Sequence, residues 1–407
     1  MYNLTDRTIV LGVTGSIAAY KAADLASRLT QAGARVDVVM TPEAAKFVSP
    51  ITFQSVSGRR AYWDMWDASS DVAELHVALA RRADIMVIAP ATATMMARLA
   101  LGLAEDLVSL TALATQAPLI VCPAMDSNMF EHPATQDHLA ALRSRGVHVV
   151  GPEEGRLASG HTGRGRLSEV DVITGAIRYV LGKTGDLAGK KVVVSAGGTQ
   201  EPIDPVRYLG NRSSGKMGFA VAEAARDRGA ETVLVTGPTA LPDPYGVTVA
   251  RVGQAVEMRD AIVAHCAGAD VLVMAAAVAD YQPAAAIGRK IKRQDSEGLM
   301  LALVRTPDIL AEVKAQPGLV KVGFAAESHD LLANARAKLK SKGLDLIAAN
   351  DITAADSGFG AETNRVVLLD ADGGEEELPL LSKYDAAWRI LDRILMKMRN
   401  RADGQRR

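Results

Sequence analysis

The chain is short of several things, and each shortage excludes something. Cysteine occurs only at Cys122 and Cys266, far apart in 407 residues. That rules out a disulfide framework and points to a reducing, cytoplasmic setting. Aromatic residues make up 4%, so platforms for stacking nucleic-acid bases are few. The net charge is -1, which leaves no global basic field to recruit nucleic acid or a membrane surface. No apolar run is long enough to cross a bilayer. No signal peptide is expected either, because Arg7-Thr8-Ile9-Val10-Leu11 already reads as a first strand.

What is present is ordinary for a globular protein: 48% hydrophobic and 23% charged residues. The length exceeds one ordinary core and favours two or three domains. In the first half, apolar strands at Thr8–Val13, Arg35–Met40, Asp84–Ala89, Leu119–Cys122 and Val147–Val150 alternate with helical stretches at Ile17–Gln31, Ala93–Ala100 and Glu105–Thr115. The strands lack inside–outside alternation, as expected when both faces are covered. The order predicts a parallel sheet between helices. Glu153–Ser168, rich in glycine and arginine, reads as a functional loop. A helix at Val170–Leu181 and a linker at Gly182–Asp186 close the half.

A second series of strands begins at Lys191–Ser195 and recurs at Thr232–Val235, Val247–Val252, Val271–Ala275, Val320–Phe324 and Leu344–Ala349. Val366–Leu369 and Glu376–Leu378 read as a terminal hairpin, and the tail from Arg399 as frayed. The expectation is two doubly wound, mostly parallel α/β domains in tandem, 1–189 and 190–407, with no convincing internal repeat.

Candidate sites follow strand ends. Gly12-Val13-Thr14-Gly15-Ser16-Ile17 joins a strand to a helix, where backbone amides and the helix dipole favour an anion. A tight turn without ligand explains it as well. No Gly-x-Gly-x-x-Gly with an acid about 20 residues later follows the first strand, which argues against a dinucleotide dehydrogenase. Ile88-Ala89-Pro90-Ala91-Thr92-Ala93-Thr94 and Val121-Cys122-Pro123-Ala124-Met125-Asp126-Ser127-Asn128-Met129 also end strands. His76, in Glu74-Leu75-His76-Val77, reads as a surface or capping histidine or as an acid–base group.

Taken together, these segments resemble the homo-oligomeric flavin-containing cysteine decarboxylases over about the first 180 residues. Gly-Ser-Ile, the histidine after Glu74-Leu75, Ala-Pro-Ala-Thr-Ala and Pro-Ala-Met stand in that family's order. The resemblance implies FMN held between subunits of a trimer. Gly15, Ser16, Thr41, Thr92, Thr94, Ser109 and Met125 become FMN contacts, and His76 becomes catalytic. The flavin chemistry it implies is oxidation of a cysteine amide's thiol to a thioaldehyde. That creates the electron sink for decarboxylation, and protonation and reduction follow. Asp126 stands where the family has asparagine, and Ser159 where the coenzyme A branch has a proton-donating cysteine. An ionised Asp126 would repel a substrate carboxylate, and a hydroxyl donates a proton less readily than a thiol. Asn128 and His161 are the nearest replacements, and Arg156, Arg164 or Arg166 the nearest cations.

In the second half, Gly197-Gly198 follows a strand, and Asn211-Arg212-Ser213-Ser214-Gly215-Lys216 precedes a helix near Met217. Hydroxyls, amides and cations at a helix start suit an anion, though a solvated cap does too. Val273–Tyr281 is a strand ending in Asp280, and Lys290-Ile291-Lys292-Arg293 follows; such a basic run is often only a solvated edge.

Asn-Arg-Ser-Ser-Gly-Lys-Met-Gly, Ala-Ala-Val-Ala-Asp-Tyr, Lys-Ile-Lys, Thr-Pro-Asp-Ile-Leu and Gly-Phe-Ala-Ala-Glu-Ser occur in the order of the bacterial phosphopantothenate–cysteine ligases. This resemblance spans residue 190 to the end. It implies CTP, magnesium and an acyl-cytidylate that cysteine's amine attacks. Ala275, Ala276, Ala277, Asp280, Thr306, Pro307, Asp308, Ile309, Phe324, Lys338 and Lys342 then hold CTP, and Asp280 also meets the metal. Lys290 stabilises the transferring phosphoryl group, and Asn211 and Arg212 bind the acyl substrate. Arg207 reads as a phosphate ligand or a structural residue. The combined reading is a tandem decarboxylase and ligase of coenzyme A synthesis acting on small molecules. The resemblance adds trimers of the flavin domain joined through ligase dimers into a dodecamer. The competing readings are an active ligase joined to an altered or inactive flavin domain, and a non-enzymatic subunit on the same fold.

Overall fold

The computed structural model describes residues 4–66, 74–292, 299–313, 318–327, 329–351 and 360–404. The chain forms two compact units that divide between Leu181 and Gly182. The first holds a six-stranded, all-parallel sheet: β1 (Thr8–Val13), β2 (Arg35–Met40), β3 (Ala61–Tyr62), β4 (Ile85–Ala91), β5 (Leu119–Pro123) and β6 (His148–Val149), in the order β3-β2-β1-β4-β5-β6. β1 and β4 are buried at every position, which explains their lack of alternation. Strand order reverses between β1 and β4, so the loops leaving their carboxyl ends diverge and open a crevice.

Two expectations for this half are corrected. Glu153–Ser168 is not a loop throughout: β7 (Glu153–Arg156) and β8 (Thr162–Arg166) pair as an antiparallel hairpin. Two of its glycines serve close packing rather than looseness. A Cβ on Gly165 would lie 2.2 Å from the Met125 carbonyl oxygen, and one on Gly163 2.9 Å from Ser127 Cβ. The bare backbone therefore lies on the segment leaving β5, and the Met125 amide donates to Gly165 O at 3.0 Å. The first long helix starts at Ala19 rather than Ile17, because Ser16 forms a turn in which its hydroxyl accepts the Ala18 amide.

Gly182–Asp186 is not a free linker. A Cβ on Gly182 would meet Asp227 O at 2.2 Å and one on Gly185 would meet Arg228 O at 2.4 Å. Asp186 pairs with Arg228, and Leu187 is fully buried. The segment belongs to the packing of the second unit.

That unit contains an eight-stranded sheet. Its main strands are β9 (Lys191–Ala196), β12 (Glu231–Thr236), β13 (Thr248–Arg251), β14 (Val271–Met274), β17 (Val320–Glu327), β18 (Leu346–Asp351), β20 (Val367–Asp370) and β21 (Glu375–Glu377). They run β13-β12-β9-β14-β17-β18-β20-β21. Pairing is parallel as far as β18 and antiparallel for β20 and β21, so the expected terminal hairpin forms. Small antiparallel pairs join β10 (Gln200–Pro202) to β11 (Tyr208–Gly210), β15 (Tyr281–Pro283) to β16 (Leu303–Arg305), and β19 (Thr363–Asn364) to β22 (Leu381–Ser382). Alternate β9 side chains enter separate cores. Val192 and Val194 pack with apolar residues of the helices Lys216–Asp227 and Lys383–Gly404, and Val193 packs with those of Ala255–Cys266 and Leu331–Ser341. The last helix continues to Gly404 rather than fraying at Arg399, anchored where Arg401 donates to Leu319 O at 2.7 Å. Residues 405–407 lie outside the described residues.

Candidate functional sites

The first crevice is a cavity of about 560 Å³ lined by the residues after β1, β4 and β5 and by the β7–β8 hairpin. Thr14 ties its floor together: its buried hydroxyl donates to Pro90 O at 2.7 Å and accepts the Thr92 amide at 3.1 Å. Gly15 is required by close approach, since a Cβ there would sit 2.4 Å from Glu43 Cβ. Ser16, at the start of a 13-residue helix, lines the cavity with Ile17, Thr92, Met125 and Met129. The polar turn before this helix thus shares the slot with the apolar side chains of Ile17, Met125 and Met129.

The hairpin tip forms the opposite wall. Ser159 Oγ donates to Asp126 Oδ2 at 2.8 Å, while Asp126 Oδ1 accepts the Asn128 amide at 3.1 Å. The Ser159 bond, then the Asn128 bond, then the nearby His161 charge hold the Asp126 carboxyl below the usual carboxylate range, against a smaller opposing effect of burial. Asp126 is therefore ionised at neutral pH, and the Ser159 proton is committed to it. Of the three arginines, Arg156 lines the cavity, Arg164 lies over the Phe130 ring at 5.3 Å, and Arg166 lines the cavity while paired with Glu169. Lys21, which sequence reasoning did not single out, also lines it and bonds Glu169.

The structure does not bring every expected group together here. Thr41 and Ser109 are buried: Thr41 Oγ1 accepts the Ala44 amide, and Ser109 completes a capping box with Asp106. Thr94 and Asn128 are exposed and do not line the cavity. Nor does His76, half-buried on the helix Leu75–Arg82. Both thiols are buried and free, and burial pushes Cys266 up to about 11 and Cys122 higher still. Neither is a nucleophile at neutral pH.

The second site lies where strand order reverses between β9 and β14. Two adjoining cavities of about 540 and 450 Å³ share Ala276, Val278, Asp280, Phe324 and Lys338. Their common wall is the segment after β14, which two buried hydroxyls hold open. Ser195 Oγ accepts the Ala276 amide at 3.1 Å, and Thr199 Oγ1 accepts the Ala279 amide at 3.0 Å. The larger cavity adds Thr306, Pro307, Asp308, Ile309 and Lys342. Thr306 Oγ1 donates to Ala279 O at 2.6 Å, Lys338 Nζ to Phe324 O at 2.8 Å, and Lys342 pairs with Asp308.

The smaller cavity adds Ala275, Ala277, Asn211, Arg212 and the turn into the helix Lys216–Asp227, and also Asn350, Asn364 and Lys383, which sequence reasoning missed. Asn211 Nδ2 donates to Val278 O at 2.9 Å. Gly215 has φ +76°, the left-handed region that glycine adopts freely. Lys290 is exposed and lines neither cavity. Arg207 is engaged with Asp204 at 2.8 Å and with Ile291 O, a structural arrangement. Among the described residues no group of three metal-ligating side chains occurs.

Comparison with known proteins agrees with this division. A family model described as flavoprotein matches residues 1–182, and one described as DNA/pantothenate metabolism flavoprotein C-terminal domain matches 187–398. The coenzyme A biosynthesis bifunctional protein CoaBC of Bacillus subtilis (strain 168) is 43% identical over 395 residues, covering 96% of this chain and 97% of that protein. The protein of the same name from Mycolicibacterium smegmatis is 45% identical over 405 residues, covering 95% and 97%. The solved C-terminal domain of a CoaBC is 40% identical, covers 53% of this chain and 98% of its own, and superposes with a TM-score of 0.45. The chain belongs to the family of bifunctional coenzyme A biosynthesis proteins.

Proposed function

We propose that the chain joins cysteine to a phosphorylated pantothenate with its second unit and decarboxylates the resulting amide with its first, two steps of coenzyme A synthesis. One observation carries the reading. The chain matches bifunctional relatives over nearly its whole length, and each of its two units has a cavity at the switch point of its own sheet. That coverage favours two activities over a ligase joined to an inactive flavin domain.

The ligase reaction is assigned to CTP. The carboxylate attacks the α-phosphorus and pyrophosphate leaves. Cysteine's amine then attacks the acyl carbon and CMP leaves. Thr306–Ile309, Phe324, Lys338 and Lys342 would hold the nucleotide, and Asn211 and Arg212 the acyl substrate. Magnesium would enter bound to the nucleotide and meet the carboxylate of Asp280, keeping waters and phosphate oxygens as most of its ligands, while Asp308 is paired with Lys342. Lys290 is assigned to phosphoryl-group charge, supplied by movement of its segment or by a neighbouring subunit.

The residues of the first cavity fit FMN: a helix start with Ser16 for the phosphate, a glycine that lets the backbone approach, and an apolar slot between Ile17, Met125 and Met129 for the ring. When bound, the flavin supplies the two-electron chemistry that gives the substrate carboxylate an adjacent electron sink. Asp126 and Ser159 position the hairpin over the slot, and Arg156 offsets the Asp126 charge beside a substrate carboxylate. His76, absent from the cavity walls of its own chain, is assigned as the proton-handling group of a neighbouring subunit's cavity. Exposed apolar side chains away from the cavities support self-association: Phe47 and Ile51 on the first unit, and Val206, Tyr208 and Val304 on the second. No helix among the described residues is long and apolar enough to cross a membrane, and two free thiols suit a cytoplasmic location.

The test is to assay the halves separately in purified full-length protein. A flavin absorption spectrum and carbon dioxide release from phosphopantothenoylcysteine are expected from the first unit, and CTP-dependent pyrophosphate release from the second. Protein that bound flavin but released no carbon dioxide would overturn the decarboxylase assignment.

A further inference from the structure

Asp204 sits in the turn between β10 and β11, its carboxylate fully enclosed while the Arg207 guanidinium beside it is half exposed. The donors on that carboxylate divide by oxygen. Oδ1 accepts the amides of Val206 and Arg207, each at 2.8 Å, and closes the turn locally. Oδ2 accepts Arg207 Nη1 at 2.8 Å and the Ile291 amide at 3.1 Å, the latter from a residue 87 positions along the chain and next to Lys290. Arg207 Nη1 also donates to Ile291 O at 3.3 Å, so this turn holds both backbone polar groups of Ile291. A second tie lies just upstream, where the Ile287 amide donates to Ile203 O at 2.9 Å. Lys290 is exposed between the two ties. The hairpin is itself braced: the Gln200 backbone amide donates to Gly253 O at 2.8 Å, and the buried Glu201 accepts the Ala255 amide at 2.9 Å. A turn closed on itself needs only one acceptor oxygen, which asparagine would supply. At the Oδ2 position an amide nitrogen would face two N–H groups, so the long-range grip is what calls for a carboxylate. Burial pushes that carboxyl up, but the amides of Val206, Ile291 and Arg207, and then the Arg207 charge, outweigh it and hold the group below the usual carboxylate range.

We infer that Asp204 is a positioning residue of the ligase reaction: its Oδ2 fixes the backbone beside Lys290 and so sets where that ammonium meets the transferring phosphoryl group. The inference rests on the assignment of Lys290 proposed above. Lys290 lines neither cavity, so its reach is governed by where its backbone is fixed rather than by packing around its side chain. The loop that carries it leaves through β15, which follows Asp280, and returns through β16, which precedes Thr306. Asp280 and Thr306 both line the larger cavity. A loop joined only at that base would leave Lys290 free over many conformations. The ties at Ile287 and Ile291 remove much of that freedom before substrate arrives, and a reacting group held in place gains from such ordering. The strand on the far side of the turn, β11, leads directly into Asn211. One braced hairpin therefore sets Lys290 relative to the acyl substrate as well as to the nucleotide.

Full-length Asp204→Asn tests this, because it keeps Oδ1 for the turn and replaces only Oδ2. For CTP-dependent pyrophosphate release, kcat should fall about 10- to 100-fold, as for a catalytic group displaced by about 1 Å. KM for CTP and for phosphopantothenate should each stay within about twofold. Added to Lys290→Ala, the substitution should cost nothing further, since both act through one ammonium. Hydrogen exchange across residues 287–292 should quicken about tenfold or more in Asp204→Asn, a readout that does not depend on turnover. An unchanged kcat, unchanged exchange, or a loss carried wholly by KM would overturn the inference. So would a full additional loss in the Lys290→Ala background, which would make Asp204 a support of the whole unit rather than of Lys290. The two readings fail separately. Lys290→Ala that releases pyrophosphate at the full rate defeats the assignment of Lys290 and the inference with it, whereas a slowed Lys290→Ala beside an unslowed Asp204→Asn defeats the inference alone. Should Asp204→Asn fail to fold by circular dichroism, Asp204→Ser gives the same readouts, because its hydroxyl closes the turn but does not reach Ile291.

Discussion

The two crevices sit at the same place in two similar sheets, yet they are completed differently. The second-unit cleft assembles most of its expected nucleotide side chains from one chain: Asp280, Thr306, Phe324, Lys338 and Lys342 line it, while Lys290 does not. The first-unit slot takes its floor from strand ends and its lid from a hairpin, and its expected acid–base group, His76, faces elsewhere. The difference teaches that a switch point supplies backbone amides and small hydroxyls, whereas chemistry-bearing side chains must be brought by whatever covers it. In the second unit that cover is the segment after β14 and the helix Leu331–Ser341. In the first it is the hairpin, and the proposal adds a neighbouring subunit.

The comparison can be broken at His76. His76→Ala should lower decarboxylation about 10²–10⁴-fold, the range for a lost acid–base group, with the flavin spectrum and CTP-dependent ligation unchanged. Mixing it with a flavin-site variant such as Gly15→Val should restore part of the activity. Loss of flavin on His76→Ala, or no restoration on mixing, would return the histidine to a structural role.

The next largest effect concerns the lid. Gly165→Ala places a Cβ against Met125 O, and overpacking of this kind costs about 1–3 kcal/mol. Flavin should bind about tenfold or more weakly if the lid cannot seat, while ligase kinetics stay as they were. Equal flavin affinity, by fluorescence titration, would mean the hairpin is not part of the slot.

A smaller effect sharpens the chemistry. Ser159→Cys supplies a more acidic proton donor and Asp126→Asn removes a negative charge. Each should raise decarboxylase turnover or lower the KM for the acid substrate by up to about tenfold, and a decrease in either would show that the Asp126–Ser159 bond itself is needed. The pH dependence follows the same pair. Because the folded Asp126 carboxyl titrates below its ordinary value, its bond to Ser159 is fully present above that value and is lost only as pH falls through the depressed one. Between about pH 5 and 8 Asp126 should not titrate, so a tip-loosening step in hydrogen exchange within that window would contradict the pairing.

Much of the scaffold was legible from sequence, because fully buried parallel strands read as unbroken apolar runs. β1 and β2 begin and end where their patterns do. The hairpin was not legible: Gly163 and Gly165 look like loop glycines until the atoms they clear, the Ser127 side chain and the Met125 carbonyl, are known. Thr41 and Ser109 are hydroxyls of the right type at the right points along the chain, but helix capping consumed them, and a sequence does not say which way a hydroxyl is spent. Lys383 was overlooked for a remediable reason. Ser382-Lys383-Tyr384-Asp385 carries a helix-start signature, so its lysine reads as part of a cap until the cavity it lines is known.

The central claim is that one chain performs two consecutive reactions, and stoichiometry tests it most directly. With CTP, phosphopantothenate and cysteine supplied and carboxyl-labelled cysteine as tracer, the account predicts that carbon dioxide and pyrophosphate accumulate in equal amounts after any lag. Pyrophosphate released with the label retained in phosphopantothenoylcysteine would contradict it.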